Sequence, residues 1–247
     1  MSGLSKACCT RTPVGTSQSV PVSKIADLDV YVAGNTSARR GVIHVYDIFG
    51  FYPQTLKGAD RLSEYLDAVT LVPDFLRGTQ ADPSWFPMDS QEKKEAFGKF
   101  FADYASLETN TKKLLEVVAE AKTKYPSVEK WAVVGLCWGG KLAALVSREN
   151  TPFVASGQAH PSFLATDDAK NMTIPHIVLA SGEESKEEVT AYKEALEAKK
   201  DIPSEVDWYN SQVHGWMGAR ADFNDEEIKK EFERGYKQVA DFFGKFL

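Results

Sequence analysis

The residues best equipped for chemistry are one cysteine, one histidine and two adjacent glutamates: Cys137, His214, Glu183 and Glu184. Cys137 stands in Gly135-Leu136-Cys137-Trp138-Gly139-Gly140, between the apolar run 131–134 and an apolar helical stretch over 140–148. This is the G-x-S-x-G nucleophile elbow with sulfur in place of the hydroxyl. The central residue of an elbow occupies a strained strand-to-helix turn, and glycines two positions to either side keep side chains from colliding with it. A sulfur at the start of a helix is favoured as thiolate by the positive end of the helix dipole. The N–H of Trp138 would face a reacting carbonyl and donate to its oxyanion.

A nucleophile of this kind needs a base, and the chain holds four histidines. His214 follows a β-rich run over 206–209 and precedes the last helical pattern, which is where this chain order delivers its general base. His44 falls inside a predicted strand and His176 at a strand start, positions suited to structural use. His160, in Ala159-His160-Pro161-Ser162, follows the run 153–155 and is expected to line the site rather than act as base. The acid that fixes the imidazole tautomer should lie after a strand between nucleophile and base. The segment 177–185 fits, and both Glu183 and Glu184 are available, whereas Glu187 and Glu188 belong to the charged helix that follows.

These residues need strand ends to hold them. Strands are predicted over 28–32, 41–46, 69–72, 131–134, 153–155, 177–179 and 206–209. Helical spacing covers 111–125, 140–148, 185–200 and 225–246. Alternation of this kind gives right-handed βαβ crossovers and a mainly parallel sheet with helices on both faces. Ligands then gather at the carboxyl ends of the strands, and each candidate above follows a strand. One α/β domain is expected over 23–247, after an irregular arm over 1–22 rich in Ser, Thr, Pro and Cys. The segment 79–94 is expected to be irregular, as a mobile lid or a static loop.

Composition narrows the classes. The 247 residues carry a net charge of -6 with a pI near 5.4, which repels a phosphate backbone and argues against a nucleic-acid partner. No apolar run approaches the ~20 residues that span a bilayer, and residues 1–18 lack the apolar core of a secretory signal. The cytoplasm is the expected location. Three cysteines, with Cys8 and Cys9 adjacent, do not make a disulfide framework. Cys8 and Cys9 have no companion Cys-x-x-Cys and read as part of an inert arm. No metal or organic cofactor is expected.

Asp47-Ile48-Phe49-Gly50, Pro73-Asp74, the Cys137 elbow and His214-Gly215-Trp216 occur in the order of the dienelactone hydrolase family, which the chain resembles from about residue 25 to its end. Ala159-His160-Pro161-Ser162 and the Cys8-Cys9 arm resemble its eukaryotic branch. The resemblance implies the α/β-hydrolase fold and hydrolysis of a small-molecule ester or lactone through a thioester acyl-enzyme. It implies Cys137 as nucleophile, His214 as base, and Glu184 at the position of the orienting acid, where the family usually has aspartate. It pairs the N–H of Ile48 with that of Trp138 in the oxyanion hole. An early-loop acid, usually glutamate, contacts the resting cysteine in the family; Asp47 occupies that position. Arg220, or more weakly Arg77, matches the arginine that binds a substrate carboxylate, although Arg220 lies further from His214 than is usual. Two other readings use the same elbow. Cysteine amidotransferases place an acid two residues after the histidine, where this chain has Trp216. A redox sensor would keep the fold and a reactive Cys137 without acyl turnover.

Overall fold

The computed structural model describes residues 10–247. Among them eight strands form one sheet: β1 (Ser23–Ile25), β2 (Leu28–Gly34), β3 (Arg40–Val45), β4 (Ala68–Pro73), β5 (Lys130–Leu136), β6 (Ala155–Ala159), β7 (His176–Ser181) and β8 (Ser204–Tyr209). Their spatial order is β1-β2-β4-β3-β5-β6-β7-β8. The first three pair antiparallel, and every later neighbour from β4 to β8 is parallel. The middle strands β3, β4 and β5 are apolar and almost wholly buried, as strands covered on both faces must be. This is the α/β-hydrolase fold.

The helices are α1 (Pro53–Leu66), α2 (Gln91–Asp103), α3 (Leu107–Lys124), α4 (Trp138–Leu145), α5 (Thr166–Asn171), α6 (Lys186–Glu197) and α7 (Glu226–Phe243). Helix α7 sets Phe232, Tyr236, Val239 and Phe243 against one face of the sheet, together with Leu62 and Leu66 of α1. On the other face α3 contributes Leu114, Val117 and Ala121, and α4 contributes Leu142 and Ala143. Helices α5 and α6 close the β7–β8 end through Ala169, Tyr192 and Leu196. Ser90, Ser106, Ser185 and Asp225 cap α2, α3, α6 and α7 with side-chain oxygens, satisfying N–H groups that a helix start leaves open.

The structure adds β1, α1, α2 and α5 to the elements expected from sequence, and three places differ from that reading in ways that bear on the site. Helix α1 was not anticipated. Its buried face includes Gln54, Thr55, Gly58, Ala59 and Ser63 beside three leucines, so no apolar stripe stands out. The segment 79–94 is not one irregular loop: it contains a 3-10 turn, Pro83–Trp85, and the first turn of α2. Strand β6 is Ala-Ser-Gly-Gln-Ala, beginning where the expected run 153–155 ends. Small residues suit it because it lies between β5 and β7, and a Cβ on Gly157 would come within 2.9 Å of Ile177.

Residues 10–22 hold no helix or strand, yet they are tied to the body. Val14 N–H donates to the Ala219 carbonyl at 2.7 Å, and Gln18 N–H to that of Phe51 at 3.1 Å. Cys8 and Cys9 lie outside the described residues. No helix among the described residues is long and apolar enough to cross a membrane.

Candidate active site

Cys137 sits at the turn between β5 and α4 with φ 51° and ψ -113°, a backbone conformation that costs a non-glycine residue about 1–3 kcal/mol. The surroundings hold it there. Cys137 N–H donates to the Ala159 carbonyl at the end of β6 at 3.0 Å. The two elbow glycines are needed for a reason other than collision with the cysteine. A Cβ on Gly135 would overlap the backbone of Gly139, and one on Gly139 would come within 2.5 Å of the Val45 and Tyr46 carbonyls of the β3 end. The glycines therefore let helix α4 start directly against two strands.

His214 follows β8. Its Nδ1 lies 2.7 Å from Glu184 Oε1, with both side chains about 1% exposed. Glu184, after β7, also accepts from Ser181 Oγ–H at 3.0 Å and from the Ser181 N–H. Glu183 points elsewhere: its Oε2 accepts the backbone N–H of His214 at 2.9 Å, and its Oε1 pairs with Arg11 at 2.9 Å. The neighbouring glutamates thus grip the side chain and the backbone of the same histidine. Burial works to lower the imidazole's pKa. The charge of Cys137, then the hydrogen bond and charge of Glu184, outweigh it, and His214 is pushed up to about 9.

Cys137, His214, Asp47, Ile48, Phe49, Gly215 and Arg220 enclose one cavity of about 10 Å³. That is room for about one water molecule, so an acyl substrate must displace part of the wall. Among the described residues the N–H groups of Ile48 and Trp138 donate to no protein acceptor, whereas Phe49 N–H, next to Ile48, is taken by Asp47 Oδ1 at 2.9 Å. Asp47 is committed to backbone rather than to sulfur, because its other oxygen accepts Ala219 N–H at 3.1 Å. Burial pushes its carboxyl up, against the pull of those two bonds.

The arginines separate. Arg77 is exposed and does not line the cavity. Arg220 is buried, donates to the carbonyls of His214 at 3.1 Å and Arg11 at 2.6 Å, and lies 5.6 Å over the Phe49 ring. It folds back because Gly215 turns the chain at φ 97°, where a Cβ would come within 2.8 Å of Arg220. His160 packs edge-on against His214 with ring centroids 5.1 Å apart. Burial, then the charges of His214 and Arg220, hold it well below the usual imidazole range, so it stays neutral. His44 and His176 lie in the sheet, away from this cavity. One residue was not singled out by sequence: Ser162, fully buried, has its Oγ 3.2 Å from Cys137 Sγ. The signal was the histidine–proline–serine run itself, at the carboxyl end of a strand whose limits were misplaced. No group of three or more His, Cys, Asp or Glu side chains among the described residues has metal-holding geometry.

Residues 28–247 match the dienelactone hydrolase family. The uncharacterized AIM2 family protein C30D10.14 of Schizosaccharomyces pombe is 32% identical over 225 residues, spanning 90% of this chain and 89% of that one. The carboxymethylenebutenolidase homolog of Xenopus tropicalis is 23% identical over 231 residues, spanning 91% and 89%. The crystal structure of dienelactone hydrolase from Anabaena variabilis, 13% identical, has the same fold with a TM-score of 0.62 over 96% of this chain and 100% of that one. The chain belongs to the dienelactone hydrolase family, a family of carboxylic ester and lactone hydrolases.

Proposed function

We propose that the chain hydrolyses a small ester or lactone through a thioester on Cys137, with His214 as general base, Glu184 orienting it, and the N–H groups of Ile48 and Trp138 receiving the oxyanion. The observation that carries this reading is the buried 2.7 Å contact of Glu184 with His214 Nδ1, with the same histidine lining one cavity with the elbow sulfur. A carboxylate on Nδ1 leaves Nε2 to exchange protons with the reactants.

The cycle needs two acyl transfers. The thiol proton resides on His214, and the sulfur attacks the carbonyl carbon while its π pair moves to oxygen. Two backbone donors facing that oxygen stabilise the tetrahedral stage. The carbonyl re-forms, the carbon–oxygen bond breaks, and the departing alkoxide or enolate takes the proton from His214. His214 then removes a proton from water, which attacks the thioester and releases the acid. For a lactone both products stay joined as one hydroxy acid or keto acid. A lactone substrate agrees with the name of the Xenopus relative. Arg220 and Phe49 form the cavity wall and would shift to admit it. The proposed compartment is the cytoplasm, whose reducing poise protects a thiolate from oxidation.

The test is a screen of p-nitrophenyl esters and small lactones with the wild type and Cys137→Ala. The variant should retain no more than about one part in a thousand of the turnover. Equal turnover by the two proteins would refute the covalent mechanism.

A further inference from the structure

Ser162 is fixed to Cys137 twice. Its backbone N–H donates to the Cys137 carbonyl at 3.2 Å, and its Oγ lies 3.2 Å from Sγ. Its side chain is fully buried, and among the described residues the sulfur is the only hydrogen-bond partner of that hydroxyl. The direction of the bond follows from counting hydrogens. Were the thiol to donate to Oγ, the hydroxyl's own hydrogen would be buried without an acceptor, which folded proteins avoid. With the hydroxyl donating to sulfur, that hydrogen has its acceptor. The early-loop acid does not compete for this place, since both oxygens of Asp47 hold backbone N–H groups.

We propose that Ser162 is a further catalytic residue, whose hydroxyl donates to the Cys137 sulfur as thiolate and holds the negative charge until substrate arrives. The proposal rests on the assignment of Cys137 as nucleophile. During acylation the sulfur's electron pair forms the bond to carbon, its charge is spent, and the Ser162 donor is released. When water's attack expels the sulfur, the pair of the carbon–sulfur bond returns to it and the hydroxyl receives it again. The proton stays on His214 at rest, in keeping with its raised pKa. Among the described residues, the other charged or titratable groups lining the cavity with the sulfur are Asp47 from the β3 end and Arg220 from beyond His214. His160 stands against His214 from the β6 side, and Glu184 lies behind it from β7.

The experiment is the pH dependence of iodoacetamide alkylation, read at Cys137 by mass spectrometry, for the wild type, Ser162→Ala and Ser162→Thr. A donor to a charged acceptor is worth about a tenfold change in thiolate population. Ser162→Ala should therefore raise the alkylation midpoint by about one pH unit, and Ser162→Thr should bring it back. Deacylation, read from the burst of an activated ester, should slow about tenfold in the alanine variant only. An unchanged midpoint in folded Ser162→Ala overturns the proposal. So does a midpoint raised equally in the threonine variant, which would assign the effect to packing. If the alanine variant does not fold, Ser162→Cys keeps the volume with a weak donor, and the same rise is expected. A Cys137→Ala enzyme that keeps its activity would sink the covalent mechanism itself; a dead Cys137→Ala beside an unmoved Ser162→Ala midpoint sinks only the role of Ser162.

Discussion

The elbow at Cys137 and the loop at His214 bring two side chains to one cavity by opposite means. The elbow is local: six consecutive residues, two of them glycines that backbone sterics require, and a turn locked between β5 and α4. The histidine loop is held from far away. Glu183 and Glu184 reach it from the end of β7. Asp47 reaches Ala219 from the end of β3, and the arm reaches Ala219 and Arg220 through Val14 and Arg11. A turn fixed by sterics cannot relax without loss of the fold, whereas a loop fixed by separate hydrogen bonds can lose them one at a time. Substitutions of the elbow glycines should therefore act on stability and those around the loop on rate, in graded steps.

The largest effect on stability is expected at Gly139→Ala. The new methyl would meet two strand carbonyls at 2.5 Å, neither of which can swing aside, so the destabilisation should reach about 3 kcal/mol or more. Urea denaturation followed by circular dichroism measures it. A loss below about 1 kcal/mol would show that the elbow yields as readily as the loop, and the contrast would fail.

Glu184→Gln should come next, with the fold kept and the rate lost. An amide in place of the carboxylate can hold the wrong tautomer and cannot balance an imidazolium, so kcat should fall roughly 10³–10⁴-fold. The same change should lower the His214 midpoint from about 9, since Glu184 is among the groups that raise it. Cys137→Ala should lower it further, because the cysteine's charge raises it most. The sign extends to stability. A histidine raised from 6.5 to about 9 on folding contributes stability that is complete below pH 6.5 and lost as pH rises towards 9. In Cys137→Ala that decline should flatten. NMR titration of the imidazole and unfolding at pH 6 and 9 read the two effects, and an unmoved midpoint in both variants would remove the electrostatic account.

The same contrast governs what could be read from the residues alone. The elbow was legible because its cause lies within six residues, and the parallel sheet because strands and helices alternate along the chain. His214 and the glutamate pair stand out in the sequence by their order relative to strands, yet which glutamate meets the imidazole depends on side-chain direction after β7. The role of Ser162 does not stand out in sequence, because β6 is built of small and polar residues that do not mark its carboxyl end. Helix α1 was hidden by Gln54, Thr55 and Ser63 on its buried face. The hold of Asp47 on the Ala219 N–H follows from the meeting of the β3 end with the loop after β8, a contact 172 positions apart that no local pattern encodes.

Two smaller changes separate the outer part of the loop's support. Glu183→Ala leaves the His214 N–H, partly buried, without its acceptor. That is worth about 1–2 kcal/mol, and kcat/KM should fall about tenfold while the His214 midpoint holds. Arg11→Ala should do least. Its guanidinium pairs with Glu183 at 2.9 Å, but its side chain is 55% exposed, and such pairs contribute at most about 1 kcal/mol. The Arg11 carbonyl that accepts from Arg220 survives the substitution, so the arm keeps that hold on the loop. A loss of about two- to threefold in kcat/KM is expected, shrinking as salt screens the wild-type pair. A loss as large as that of Glu183→Ala, unaffected by salt, would mean that the arm positions the histidine through more than this ion pair, and that the loop is braced from outside as firmly as the elbow is from within.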